Sequence, residues 1–205
     1  MIKPTTPHLR LPRGLRKPDT IQRFLDEEIH YNKEPDGETA FSPLRVLSER
    51  RAHCFEGALL AAAALRRLGH APLVLQLRAV RDDDHVLALY RERPGAGCWG
   101  AVAKSNYSGL RFRSPVYRSL RELVMSFFDV YYNLEGEKSL RSVGRPVNLA
   151  RFDARGWETA DESLWDVSLH LATRRFTPLL SRGQVRGLAP MDRRLFDAGL
   201  VGTVA

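Results

Sequence analysis

The sequence predicts a single α+β domain in which a buried helix packs on a small antiparallel β-sheet, with further helices at both ends. Residues 54–68 are apolar nearly all round and consist of strong helix formers, which is typical of a central helix. Residues 72–80, 85–91 and 98–106 have the composition of strands and are separated by turn residues. The 205 residues, 43% of them hydrophobic, are enough for such a core.

The first elements follow from prolines and helix caps. Residues 1–18 carry four prolines and no hydrophobic period, and we expect an extended N-terminal arm. A single domain then covers residues 19–205. Its first helix is predicted to begin at an Asp19 N-cap, with Gln22 three residues further on. A second, shorter helix is predicted over 43–51, ahead of the buried helix.

The central strands are predicted to form a hairpin. The buried helix ends in two arginines followed by Gly69, and the first strand follows at once. The acidic turn 82–84 leads into the second strand, and the turn 94–97 leads into the third. The second and third strands should therefore pair antiparallel.

The C-terminal third is expected to be mainly helical. Ser119 and Glu122 form a capping box ahead of an apolar stripe that continues to Tyr131. A further helix is predicted from about 160, and a short one over 191–198. These patterns divide the domain into a core of about 43–132 and a helical extension of about 133–205.

The composition narrows the possible partners. The net charge is +8 and only five of the 32 basic residues are lysines, but the arginines are spread over every segment, which does not favour a nucleic-acid surface. One local cluster could face an acidic substrate, although a solvated face is the commoner explanation; it comprises Arg111, Arg113, Arg118 and Arg121. Two cysteines do not make a disulfide framework, and neither a signal segment nor a membrane span is evident. We therefore expect a cytoplasmic protein with no membrane partner and leave its oligomeric state open.

Cys54 is a candidate nucleophile because it opens the buried helix. The positive end of a helix dipole lowers the pKa of a thiol, although a buried cysteine often only fills space. His85 opens a neighbouring strand and is the candidate base. Cys98 has no such setting and is interpreted as a packed thiol.

The third member of the site depends on the hairpin register. If paired positions sum to 191, His85 faces Asn106, whereas a sum of 190 places it opposite Ser105. Hydrophobic matching favours the sum of 190, which pairs Leu89 with Ala101. An amide oxygen is the better acceptor for an imidazole N–H, so Asn106 is preferred and Ser105 is the alternative.

These residues resemble a known family. The runs VLSERRAHCFEGALLAAAALRRLGHAPLVLQL, DDDHVLALYR and GCWGAVAKSN are similar to the core of transglutaminase-like proteins, which belong to the papain-like cysteine enzymes. The stretch after Trp99 is also similar to bacterial proteins of this superfamily with no assigned substrate. The resemblance implies that Cys54 is the nucleophile and His85 the base. The family's third residue is an Asp, but Ala103 and Lys104 stand at its expected position, which leaves a Cys-His-Asn site.

The remaining parts of the site are less defined. The Cys54 N–H is one expected oxyanion donor, and Trp99, Gln76 and Tyr107 are candidates for the second. His53 and Glu56 flank the cysteine; either could line the site, but exposed polar residues of the helix end are the preferred interpretation.

Three functions are compatible with these residues. The preferred one is a cysteine-dependent acyl-transfer enzyme, a peptidase, amidase or transglutaminase-like protein, that forms a thioester with a peptide or protein amide. The alternative is a non-catalytic transglutaminase-like module that binds peptides or is structural. The third, a nucleic-acid binder, rests on the net charge alone. No cofactor and no metal site are expected, because the other histidines are isolated.

Overall fold

The structure, a computed structural model, describes residues 9–204 and combines helices with a mostly antiparallel sheet. The first eight residues of the predicted arm lie outside the described residues; Leu9 is buried in the core. The helices are α1 (Pro18–Glu27), α2 (Pro43–Glu49), α3 (Cys54–Arg67), α4 (Leu120–Met125), α5 (Trp165–Ala172), α6 (Arg182–Arg186) and α7 (Arg193–Gly199). The strands are β1 (His30–Tyr31), β2 (Arg51–Ala52), β3 (Leu73–Ala79), β4 (His85–Arg93), β5 (Ala96–Val102), β6 (Arg113–Tyr117), β7 (Leu140–Val143), β8 (Val147–Asn148) and β9 (Thr177–Pro178).

Helix α3 is the central helix of the molecule, as the sequence predicts. All of its residues from Phe55 to Leu65 are buried. One face packs against β4 and others against α1 and α2, which explains why the helix is apolar nearly all round. Its N-cap is His53, so Cys54 occupies the first helical position, where backbone N–H groups are unpaired.

The main sheet has the strand order β6-β5-β4-β3-β7-β9, and β8 also pairs with β3. All of its pairings are antiparallel. The last three strands come from the C-terminal third of the chain; β7 and β8 pair with β3, and β9 pairs with β7. A separate pair, β1 and β2, runs parallel and leads directly into α3.

The predicted hairpin of β4 and β5 is confirmed, and its register follows hydrophobic matching. Leu89 pairs with Ala101 and Tyr90 with Gly100, so paired positions sum to 190. The register with a sum of 191, which was preferred because it would bring Asn106 opposite His85, is wrong. Burying Leu87, Leu89 and Ala101 on one face of the sheet outweighs the chemistry of one pair at its end.

One predicted helix, α4, ends earlier than expected, and another, α5, begins further along the chain. The stripe that begins at Ser119 supports a helix only to Met125, because the Arg113 guanidinium binds the hydroxyl and carbonyl of Ser126 at 2.9 and 3.1 Å and ends it. The helix predicted from about 160 begins at Trp165. A residue distant in sequence fixes its start, since the Leu164 N–H donates to the Ala40 carbonyl at 2.7 Å.

Helix α1 holds the segment that follows β5. The Gln22 amide accepts from the Ala103 N–H at 3.0 Å and donates to its carbonyl at 2.9 Å. Lys104 is buried and donates to the carbonyls of Leu25 and Ile29 at 2.7 and 2.5 Å. Of the two positions where the resemblance places an Asp, Lys104 is thus turned towards α1, whereas the Ala103 side chain packs with Leu87 and Leu89 in the other part of the core.

Candidate active site

A cleft of about 550 Å³ opens at the N-terminal end of α3. Cys54, His53 and His85 all contribute to its wall, so the two residues predicted to act together do lie in one cleft. Cys54 is half-buried, and its backbone N–H makes no hydrogen bond within residues 9–204. The thiol therefore lies beside one free N–H donor at the positive end of a 14-residue helix.

His85 is held by the backbone of a neighbouring loop. It is the first residue of β4 and is buried. Its Nε2–H donates to the Leu110 carbonyl at 2.8 Å, and its ring lies edge-on to Tyr131. Because a carbonyl only accepts, the neutral ring carries its lone pair on Nδ1, which is the tautomer of a general base.

The turn before β4 fixes the approach of His85 to the thiol. The Asp84 carboxylate accepts from Gln76 Nε2 at 2.8 Å and from the Ala79 N–H at 3.1 Å, which ties the turn to β3. The Asp84 carbonyl then lies 3.6 Å from the Cys54 sulfur and accepts from the thiol. Asp84 is therefore a positioning residue for both Cys54 and His85.

His53 is a second imidazole at the thiol. Its Nε2–H donates to the Thr39 carbonyl at 3.1 Å, and its Nδ1 lies 3.3 Å from the Phe55 N–H. Nδ1 can serve only one partner at a time. In the neutral ring it accepts from Phe55 and caps α3, whereas in the charged ring it donates to the Cys54 sulfur.

Glu56 contributes, after the Cys54 thiolate, to the raised pKa of that imidazole. It is fully buried and accepts from the Phe41 N–H, the His53 N–H and the Thr39 hydroxyl at 2.9, 3.0 and 2.7 Å. One of its oxygens lies 3.6 Å from His53 Nε2. The expectation that His53 and Glu56 are exposed polar residues is wrong, because the strand β1 and the loop after it cover the start of α3.

The two imidazoles change the acidity of the thiol. Burial raises the pKa of Cys54, but hydrogen bonds from His53 and His85 and their positive charge lower it to about 6. Burial lowers the pKa of His53, but the thiolate, Glu56 and the Thr39 carbonyl raise it to about 9. Between these two values Cys54 is a thiolate and His53 is an imidazolium.

The predicted third residues line the cleft but do not contact His85. The Asn106 amide donates to the Val204 carbonyl at 3.2 Å and accepts from the Val204 N–H at 2.8 Å. The Ser105 hydroxyl accepts from the Tyr107 N–H at 3.0 Å. Since the Leu110 carbonyl already holds the ring of His85, the prediction that Asn106 or Ser105 orients it is wrong.

The candidate oxyanion donors lie in different places. Trp99 is paired with Arg91 in the sheet, and the Arg91 guanidinium covers its ring at 4.1 Å. Gln76 donates to Asp84, and neither it nor Trp99 lines the cleft. Tyr107 does line the cleft and is therefore the candidate that the geometry retains.

Charge in the cleft is opposite to that of the whole protein. Its wall includes four carboxylates and one lysine, which are Glu34, Asp82, Asp83, Asp84 and Lys33. The arginine cluster after β5 lies elsewhere. Arg111 pairs with Asp26, Arg113 binds Ser126, and Arg121 donates to the Leu179 carbonyl, so these side chains hold the fold together.

Sequence reasoning missed several residues of the cleft. Leu110 acts through its carbonyl, and no side-chain pattern marks a carbonyl. Tyr131 belongs to the apolar stripe and is buried as predicted, but its hydroxyl donates to the Asp83 carbonyl and its ring lies beside His85. Tyr31 also lines the cleft; burial and the nearby thiolate raise its pKa.

Comparison with family models and with curated proteins gives no match to this chain. Within residues 9–204, no group of three or more His, Cys, Asp or Glu side chains is arranged to hold a metal ion. In the same residues, every helix is too short or too polar to cross a bilayer. The chemistry of the cleft is therefore argued from its own side chains.

Proposed function

We propose that the protein is a cysteine-dependent acyl-transfer enzyme of the transglutaminase-like kind that acts on a peptide or protein amide. One observation carries the proposal: the Cys54 thiol lies at a helix N-terminus between two imidazoles, and its pKa is lowered to about 6. Thiolates at neutral pH are the nucleophiles of acyl transfer. The free Cys54 N–H provides a donor for the oxyanion that forms next to it.

The first half-reaction forms a thioester. At the start the Cys54 proton is on His85 Nδ1, and the thiolate attacks the amide carbonyl carbon. A C–S bond forms and the carbonyl π electrons move to the oxygen, which the Cys54 N–H stabilises. The oxyanion then collapses, the C–N bond breaks, and the amine leaves with the proton from His85.

The second half-reaction regenerates the thiolate. Neutral His85 removes a proton from water or from a second amine, which attacks the thioester carbon. The C–S bond breaks, the acyl group leaves as an acid or a new amide, and the thiolate is restored. While the thiolate is present, His53 stays charged, because its pKa of about 9 lies above neutral pH.

The Leu110 carbonyl supplies what the family's Asp supplies elsewhere, namely a fixed acceptor for the base. A neutral carbonyl orients the imidazole and selects its tautomer, but it stabilises the imidazolium less than a carboxylate does. The charge of His53 compensates by stabilising the thiolate. This division of roles supports activity without an Asp at positions 103 and 104.

Alkylation of Cys54 by iodoacetamide tests the proposal. We expect the rate, followed by mass spectrometry from pH 4.5 to 9.5, to be half-maximal near pH 6 in the wild type. In His85→Ala the midpoint should move towards the ordinary thiol value of about 8.5. Cys98 is followed in the same samples as an internal reference. A wild-type midpoint near 8.5 that is the same in His85→Ala would contradict the proposal.

A further inference from the structure

A second groove continues from the Cys54 cleft. It has a volume of about 320 Å³ and shares three residues with the cleft, which are Tyr31, Ser105 and Asn106. Its far wall is formed by the C-terminal segment, including Val201 and Val204. An extended chain that leaves Cys54 past Asn106 would therefore enter the space beside this segment.

The Asn106 side chain binds the C-terminal segment at the boundary between the two spaces. Asn106 pairs with both the N–H and the carbonyl of Val204, at 2.8 and 3.2 Å. A side-chain amide that binds both groups of one residue copies the hydrogen bonds of a neighbouring β-strand. This contact uses only backbone groups of Val204, so any residue other than proline could take its place.

A second side-chain amide, that of Gln22, makes the same pair of hydrogen bonds to one backbone residue. Gln22 binds the N–H and the carbonyl of Ala103 at 3.0 and 2.9 Å, but it is buried and is part of the core. Asn106 is half-exposed, and Val204 is 51% exposed. A ligand from solution can therefore reach the hydrogen-bonding groups of Asn106, whereas it cannot reach those of Gln22.

The C-terminus is anchored to the body of the protein before residue 200, and the segment 201–204 beyond it is attached by local turns, in which the Val201 and Thr203 N–H groups donate to the Ala198 and Leu200 carbonyls at 3.3 and 3.1 Å. The hydroxyls of Tyr132 and Ser108 donate to the Phe196 and Ala198 carbonyls at 3.1 and 3.2 Å. Gly199 packs so closely on Tyr132 that a Cβ there would lie 1.8 Å from the hydroxyl oxygen. Beyond this anchor the Val201 side chain is 73% exposed and lines the second groove.

We infer that Asn106 is the peptide-backbone-binding residue of the substrate site and that residues 201–204 occupy it in place of an extended peptide substrate. The ligand is an extended peptide that passes Cys54 and pairs its N–H and carbonyl with the Asn106 amide. The C-terminal segment then acts as an internal competitor, which lowers the apparent affinity for peptides by the fraction of molecules in which Asn106 is occupied. The inference rests on the proposed function.

Two substitutions at Val204 separate occupancy from side-chain effects. Val204→Pro removes the N–H that donates to Asn106, whereas Val204→Ala keeps both backbone bonds and serves as the matched control. The probe is N-acetyl-trialanine chloromethyl ketone, which alkylates a thiol and carries a peptide. We expect Val204→Pro to raise its rate at Cys54 by about 3- to 10-fold and Val204→Ala to leave it at the wild-type value.

A control reagent, iodoacetamide, and a control variant at Asn106 complete the experiment. Iodoacetamide has no peptide part, so its rate at Cys54 should be equal in all these variants. In the double variant Asn106→Ala/Val204→Pro the gain should vanish, because the residue that binds the peptide is gone. Release of the segment is verified independently by the side-chain amide signal of Asn106 in ¹⁵N NMR, which should move in Val204→Pro and not in Val204→Ala.

The outcomes distinguish this inference from the proposed function. Equal peptide-probe rates in the two Val204 variants, or a gain that survives Asn106→Ala, would overturn the inference while the dependence of iodoacetamide alkylation on His85 stands. If that dependence is absent, the proposed function fails first. The blocked peptide acetyl-Leu-Val-Gly-Thr-Val-amide, which repeats residues 200–204, should slow the peptide probe on Val204→Pro and have no effect on the double variant.

Discussion

Two imidazoles flank Cys54, and they are held by different kinds of partner. His85 is fixed by one neutral carbonyl, that of Leu110, at 2.8 Å. His53 lies among charges, with oxygens of Glu34 and Glu56 each 3.6 Å from its Nε2. A neutral partner leaves a ring free to gain and lose a proton, whereas carboxylates favour the charged ring.

The difference assigns separate roles to the two rings. The pKa of His53 is raised to about 9, so its charge persists at neutral pH and lowers the pKa of Cys54. A ring that keeps its proton cannot shuttle it. His85 is therefore the proposed acid and base, and His53 is the proposed source of a fixed positive charge beside the thiolate.

Replacing His85 should have the largest effect. In His85→Asn we expect acyl-enzyme formation from N-acetylglycine p-nitroanilide to fall by about 10²- to 10⁴-fold, the usual contribution of general acid–base catalysis. The loss should be much smaller for the p-nitrophenyl ester of the same acid, because that leaving group needs no proton. Acid-quenched mass spectrometry measures the thioester directly. Equal losses on the two substrates would assign His85 a purely electrostatic role.

Replacing His53 should reduce the rate less than replacing His85 does, and a higher pH should restore most of the loss. If the thiol pKa rises from about 6 towards about 8.5, the thiolate fraction at pH 7 falls by up to about 30-fold. His53→Asn should therefore lose up to about 30-fold at pH 7, equally on the anilide and the ester, and recover most of it at pH 9. A loss that persists at pH 9 would show that His53 does more than stabilise the thiolate.

The fold is predictable from the sequence where burial decides it. The helix at Cys54 and the hairpin of β4 and β5 follow from long apolar patterns, and the register follows from matching Leu89 with Ala101. The end of α4 is not predictable in this way. It depends on a hydrogen bond from Arg113 to Ser126, 13 residues away, which no local pattern indicates. Helix ends of this kind are fixed by tertiary contacts that local patterns do not contain.

The site is predictable only where a side chain does the chemistry. Cys54 and His85 carry reactive groups at recognisable positions, and they line one cleft. The acceptor for His85 is the Leu110 carbonyl, which any residue could supply. His53 and Glu56 are visible in the sequence, but their importance depends on the cover provided by Thr39 and Phe41, whose contacts bury the carboxylate.

Removing the thiol should reveal how much the thiolate contributes to the raised pKa of His53. In Cys54→Ala the thiolate can neither accept a hydrogen bond nor attract the imidazolium, so we expect the pKa of His53 to fall below its value of about 9. The neutral ring would then accept from the Phe55 N–H and cap α3. Titration of the imidazole signals by NMR measures the shift, and an unchanged pKa would mean that the carboxylates alone set it.

The smallest effect separates the two carboxylates that face His53. Glu56 and Glu34 are equally distant from Nε2, but the Glu56 side chain is fully buried and that of Glu34 is 29% exposed. Because solvent screens an exposed charge, Glu56→Gln should lower the pKa of His53 more than Glu34→Gln does. Glu56→Gln also turns an amide N–H₂ towards donors, which should cost about 1–3 kcal/mol in urea unfolding. Equal pKa shifts in the two variants would mean that water screens the charge of Glu56 as fully as that of Glu34.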